Sequence, residues 1–161
     1  MDKELISYLR TEAGISAAFN FFINGMLAAL IHHKADWVPA DAVSLAIDLA
    51  LTCVFICTIG ALFCAASLRR AKAGGVCAGQ NPLIRRLGRL FRRPALFGLL
   101  LGALTAAALF ALAAPIFTLL GIRAVSFSVY IALKTVFCAL LGYFATLASL
   151  HAGLCREKAE G

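Results

Sequence analysis

A chain of 161 residues that is 62% hydrophobic and only 14% charged, with a mean hydropathy of +0.91, has more apolar surface than a soluble domain of its size can bury, so lipid must be its solvent. Four apolar runs take up most of its length, which leaves no room for a separate soluble domain and excludes a receptor with an ectodomain. The net charge of +7 resides mostly in one central stretch, and that asymmetry carries topological information.

The pattern predicts an all-α fold, a four-transmembrane-helix bundle made of two helical hairpins. It forms a single membrane domain over 1–161, with hairpin 1 at about 12–70, a cytoplasmic basic loop at 69–93 and hairpin 2 at about 94–152. A hydrocarbon core of about 30 Å takes roughly 20 helical residues to cross; the runs 15–31, 42–68, 95–120 and 124–150 meet that requirement.

The first run follows a segment mixing Asp2, Glu4 and Glu12 with Lys3 and Arg10. That mixture, and the length of the run, read as a retained first helix rather than a signal peptide. Trp37 suits an interfacial anchor, and Asp41 after Pro39 is placed to cap the second helix.

Lys and Arg then set the orientation. Arg69, Arg70, Lys72, Arg85, Arg86, Arg89, Arg92 and Arg93 crowd the central loop, against Lys34 and Arg123 in the other two connections. The positive-inside bias therefore places the loop and both termini in the cytoplasm. Within the loop, Leu83, Ile84, Leu87, Leu90 and Phe91 recur at helical spacing opposite Arg85, Arg86, Arg89, Arg92 and Arg93. This reads as a short interfacial amphipathic helix whose arginines bind anionic lipid of the cytoplasmic leaflet. The run lacks the aromatic interleaving of a nucleic-acid site, so no nucleic-acid partner is expected.

Pro94 fits the first turn of the third helix, and Gly121 can end that helix in a left-handed conformation. Gly98, Gly102 and Ala106 form a small-residue series suited to close packing. Shifting the chain by 82 residues aligns 42–68 with 124–150 without a gap. Identities fall at Ala42-Val43-Ser44, Ala50-Leu51, Val54-Phe55, Gly60 and Ala66-Ser67-Leu68, which is 3 + 2 + 2 + 1 + 3 = 11 of 27 positions. About three are expected by chance from membrane composition. The hairpins therefore read as a parallel repeat about an axis along the membrane normal.

Two ionisable residues lie inside the runs, Asp48 in the second helix and Lys134 in the fourth. Each costs roughly 2.5–3.5 kcal/mol at mid-bilayer and needs a partner, and each is the counter-charge of the other. On the repeat alignment Ser44, Asp48 and Thr52 match Ser126, Tyr130 and Lys134, two facing stripes at four-residue spacing. With a helical rise of about 1.5 Å per residue, Asp48 and Lys134 lie about 10 and 15 Å below the starts of their helices. Asn20 and Asn24, one turn apart with Ala17 and Ala28 continuing their face, enter the same stratum from the first helix.

Three roles are open to this cluster. Asp48 and Lys134 can form an ion pair that fixes helix register. With Asn20, Asn24, Thr52 and Tyr130 replacing hydration, they can instead form a solute or ion site near the midplane of the membrane. An enzyme, with Lys134 activating Tyr130, lacks any defined nucleophile or substrate and is not expected.

Cys53, Cys57, Cys64 and Cys138 lie within spans, and Cys77 and Cys155 on the cytoplasmic side. None is placed for an extracellular disulfide, and three thiols along three turns of one helix do not make a tetrahedral metal site. His32, His33 and His151 cannot ligate a haem across the bundle, and no cofactor is expected.

The stretch Phe19-Asn20-Phe21-Phe22-Ile23-Asn24-Gly25, followed by Pro39, Asp48, Thr52, the basic loop and Lys134, resembles a group of uncharacterised small bacterial four-helix membrane proteins labelled permease-like. The resemblance covers most of the chain and implies an inner-membrane location without an established chemistry. Together with the polar cluster, it leads to the expectation of permease-like movement of a small solute or ion, in a homo-oligomer or with a membrane-protein partner, because four spans rarely enclose a pathway alone. The alternative expectation is a structural or accessory protein that packs with a partner or organises anionic lipid.

Overall fold

The computed structural model describes residues 3–71 and 90–157. Among them are four long helices, α1 (Lys3–His32), α2 (Ala42–Ala71), α3 (Pro94–Leu119) and α4 (Phe127–Glu157), and two three-residue strands, β1 (Trp37–Pro39) and β2 (Ala124–Ser126). Each helix contains a span long and apolar enough to cross a membrane: Ile6–His32, Ala42–Arg69, Pro94–Leu119 and Phe127–Leu154. The chain is accordingly described as a multi-pass membrane protein.

The strands depart from a purely helical reading. Trp37 pairs with Ser126, Val38 with Val125 and Pro39 with Ala124 in an antiparallel ribbon. Its ends are closed by the Ala40 amide donating to the Arg123 carbonyl (2.9 Å) and the Phe127 amide to the Asp36 carbonyl (3.0 Å). Backbone groups in two short loops thus satisfy each other, with Val38 buried beneath. The pairing also delays the last helix, which starts at Phe127 rather than 124 because Ala124–Ser126 are held in the strand. The other end of the bundle gathers Leu9 of α1, Leu68 of α2, Phe97 of α3 and Leu150 and Leu154 of α4 into one buried cluster with Phe91.

The first helix begins well before residue 15. Leu9 and Ala13 are buried, and the Tyr8 hydroxyl meets Ser67 Oγ at 3.0 Å; that packing carries the charged Arg10 and Glu12 on a continuous helix. At the start of α3, Pro94 occupies the first turn, and Phe91 sets its ring edge-to-face on Phe97 with centroids 5.2 Å apart. At its end Gly121 adopts φ +64°. There Ile122 N donates to Phe117 O at 2.9 Å and Gly121 N to Thr118 O at 3.2 Å, closing a Schellman motif.

The expected hairpins, α1 with α2 and α3 with α4, do not pack as pairs. α1 packs on α4, α3 packs on α2, and α2 and α4 share a central seam, whereas α1 barely touches α2 and α3 barely touches α4. The α2–α3 contact is close because Gly98 and Gly102 face its backbone. A Cβ at Gly98 would fall 2.5 Å from Thr58 Cα, and one at Gly102 would fall 2.7 Å from Val54 Cα. Ala106 is buried in the core cluster with Cys53, Cys57 and Cys138, so these thiols act as small apolar packing groups.

The basic segment is corrected in part. Arg85, Arg86 and Arg89, with Leu83, Ile84 and Leu87, lie outside the described residues. Arg92 and Arg93 are exposed, but Phe91 is buried and Leu90 packs on the same cluster. Those two apolar side chains therefore face protein rather than lipid, because the aromatic pair with Phe97 caps the interior at this end.

Candidate functional site

Because α1 and α2 stand apart while α1 and α4 pack together, a groove of about 1130 Å³ opens between α1 and α2, floored by α4 and the face of α1 packed on it. Its walls are apolar, including Ile15, Phe19, Leu51, Phe55 and Phe63. Its floor is not. Along α1 the residues Glu12, Ser16, Asn20, Asn24, Ala28 and His32 all line it, every one four positions from the last. Twenty residues of helix extend about 30 Å, the thickness of a bilayer's hydrocarbon core.

The expected pair of charges is formed. Lys134 Nζ is ion-paired with Asp48 Oδ1 and donates to Thr52 Oγ1 at 2.6 Å, while the Tyr130 hydroxyl donates to Asp48 Oδ1 at 3.4 Å. Two helices thereby contribute Asp48 and Thr52 on one side and Tyr130 and Lys134 on the other. The two partners differ in access: the Lys134 side chain is 10% exposed and that of Asp48 37%. Asp48 Oδ2 accepts no bond among the described residues.

The stripes are shorter than the sequence suggests. Ser44 Oγ donates to Asp41 Oδ2 at 2.7 Å, and Asp41 Oδ1 accepts from the Val43 and Ser44 amides at 3.0 and 3.2 Å. Ser44 lines the groove but is engaged in capping α2, and Ser126 is held in β2 opposite Trp37. The Ser44 hydroxyl and amide beside Asp41 hold its carboxyl below the ordinary 3.8. The cluster also sits nearer the ribbon than the midplane, since Asp48 is six residues, about 9 Å, from the start of a 30-residue helix.

Asn20 and Asn24 line the same groove but do not touch the ion pair. Asn24 Nδ2 donates to Asn20 O and Oδ1 at 3.1 and 3.2 Å, and Asn20 Nδ2 donates to Ser16 O at 2.9 Å and Ser16 Oγ at 3.4 Å. Ser16 Oγ in turn donates to the Gly142 carbonyl at 3.3 Å and accepts from Thr146 Oγ1 at 2.8 Å. Gly142 is what lets the ladder approach α4, because a Cβ there would fall 2.5 Å from Asn20 Nδ2. Ala28 continues this face, whereas Ala17 does not line the groove.

Sequence reasoning missed four groups. Ser16 and Thr146 complete the middle of the floor. Glu12 lies at the far end without an ion pair or hydrogen bond among the described residues. His32 closes the ribbon end with its ring edge-to-face on Tyr130, centroids 5.1 Å apart. The four-residue spacing from Glu12 to His32 was the available signal. Among the described residues, no three His, Cys, Asp or Glu side chains converge as metal ligands.

No protein-family model, curated protein or solved structure matches this chain.

Proposed function

We propose that the chain is a small permease-like membrane protein that moves a small solute or ion along the α1–α2 groove, past Asp48 and Lys134. The observation that carries this reading is the polar floor. Glu12, Ser16, Asn20, Asn24 and His32 on α1, with Thr146, Lys134 and Tyr130 on α4, follow one another over the whole depth of a bilayer. Polar side chains at membrane depth are costly unless they face water, solute or one another. Asp48, more than a third exposed, is not sealed between helices as a purely architectural ion pair would be.

We read the two halves of the chain as copies of one pair of helices. Exchanging α1 with α3 and α2 with α4 leaves the packing pattern unchanged. Residues 82 apart meet at the α2–α4 seam: Asp48 with Tyr130, Thr52 with Lys134 and Cys64 with Thr146. That is how repeat mates touch beside a twofold axis along the membrane normal. The positive-inside rule supports a cytoplasmic basic segment and cytoplasmic termini, and the resemblance to small bacterial membrane proteins supports an inner-membrane location. The groove faces lipid in one copy, so a homo-oligomer closes it.

A second reading, an accessory protein whose ion pair fixes helix register, is favoured by one observation: Lys134 is nearly buried and doubly bonded across the α2–α4 seam. Thiol labelling decides between them. Single cysteines at Ser44, Asn24 and Tyr130, all lining the groove, are placed in a variant without native cysteines. Reaction with a membrane-impermeant maleimide supports the pathway; protection at all three positions in every condition rejects it. Exchanging the charges, Asp48→Lys with Lys134→Asp, gives full recovery of folding and cellular role if the pair is architectural, and stable but inactive protein if it is a site.

A further inference from the structure

Building on that pathway, we infer that the groove takes an amphipathic organic cation, a protonated or quaternary amine carried on an apolar body. Three features of the groove lead there: its charge, its free hydrogen-bonding groups and its walls.

The ionised groups lining it are Glu12, Asp48 and Lys134, two negative charges and one positive, so the lining is net −1 with His32 neutral. The positive charge is also the hidden one. Lys134 is 10% exposed, against 37% for Asp48, and its ammonium is engaged by Asp48 and Thr52. What an incoming solute meets is carboxylate.

The neutral groups add to the same bias. The Tyr130 hydroxyl is directed at Asp48, both Asn amides donate within the ladder, and Thr146 and Ser16 donate to Ser16 and the Gly142 carbonyl. These donors are therefore turned inward, and the His32 ring, which can donate or accept, lies at the ribbon end. Acceptors are left open at Asp48 Oδ2, Asn24 Oδ1 and Glu12, none of which receives a bond among the described residues. A floor of this kind favours a donor or a positive charge over an anion.

Phe19, Phe55 and Phe63 on the walls offer π-faces to a cation and apolar area to its body. A strongly hydrated inorganic ion gains nothing from such walls, whereas an organic cation matches both walls and floor. The groove volume of about 1130 Å³ is ample for a drug-sized solute.

The test is equilibrium binding of tetraphenylphosphonium and of tetraphenylborate, matched in size and opposite in charge. The full chain is reconstituted in nanodiscs of zwitterionic lipid, with binding to empty discs subtracted. We expect saturable phosphonium binding at least tenfold tighter than borate binding. Glu12→Gln and Asp48→Asn should each weaken it about fivefold or more, with helical circular dichroism retained. Glu12→Gln is the safer variant because Glu12 makes no bond among the described residues.

Equal or tighter binding of the borate, absence of saturable phosphonium binding, or unchanged affinity in both variants overturns the inference. The thiol labelling above reads the pathway independently. Reactive cysteines without phosphonium binding remove the cation and keep the pathway, and protected cysteines remove the pathway itself.

Discussion

The unequal burial of the two charges predicts an unequal response to removing them. In Asp48→Asn the Lys134 ammonium, 10% exposed, keeps only Thr52 and a neutral amide, and an uncompensated buried charge costs about 3 kcal/mol. In Lys134→Met the abandoned carboxylate is 37% exposed on the groove and finds water, so the loss is about 1.5 kcal/mol. The double substitution leaves no stranded charge and costs no more than about 1.5 kcal/mol, which makes the coupling about 3 kcal/mol. Reversible unfolding in mixed micelles, followed by helical circular dichroism, measures all three. Equal losses in the single variants would refute the asymmetry, and additive losses would refute the pairing.

Four further outcomes follow from the packing and the cap. Gly98→Ala should destabilise by about 1–3 kcal/mol, because its Cβ would sit 2.5 Å from Thr58 Cα and α3 must move outward. Gly14→Ala, where nothing lies within 4 Å, should be neutral or stabilise by up to about 1 kcal/mol in the same unfolding assay. Ser16→Ala and Thr146→Val should each cost about 1 kcal/mol and together less than their sum, since both remove the 2.8 Å bond between these hydroxyls. Asp41 has its carboxyl held below 3.8 in the folded chain, so its stabilisation is fully present above that value and is lost as pH falls through the lower folded value. The thermal midpoint of the natural chain should exceed that of Asp41→Asn by a constant amount from about pH 7 to pH 5 and converge with it at more acid pH.

The spans were readable because lipid demands long apolar runs and leaves the chain little choice. The Asp48–Lys134 contact was readable for a related reason: only two charges fall within the apolar runs as the sequence divides them, at similar depth, and neither can remain alone. Gly98 and Gly102 announced a close helix contact by their spacing, which the α2–α3 backbones fulfil.

What escaped was set by distant neighbours. Three-residue strands exist only because the loops at 37–39 and 124–126 meet in space, and neither has a strand signal of its own. Crosswise packing likewise follows from side-chain fit rather than from connectivity. Glu12 borders the apolar run 15–31 in the sequence, yet Leu9 and Ala13 on the same turns are buried and keep it on the packed part of α1. Ser16 and Thr146 are neutral hydroxyls common in membrane helices; only their contact makes them informative. The stripe from Glu12 to His32 was legible at four-residue spacing, but its middle members are weakly polar and its ends looked like borders.

The ribbon has a mechanical consequence. The firmly packed units are α1 with α4 and α2 with α3, and the two chain segments that cross between those units, 33–41 and 120–126, are hydrogen-bonded to each other at one end. The ribbon therefore ties the two units at one end, while the buried cluster of Leu9, Leu68, Phe97, Leu150 and Phe91 and the Tyr8–Ser67 contact tie them at the other. The groove between α1 and α2 is thus held at both of its ends, beside His32 and Tyr130 at the ribbon and beside Tyr8 and Ser67 opposite.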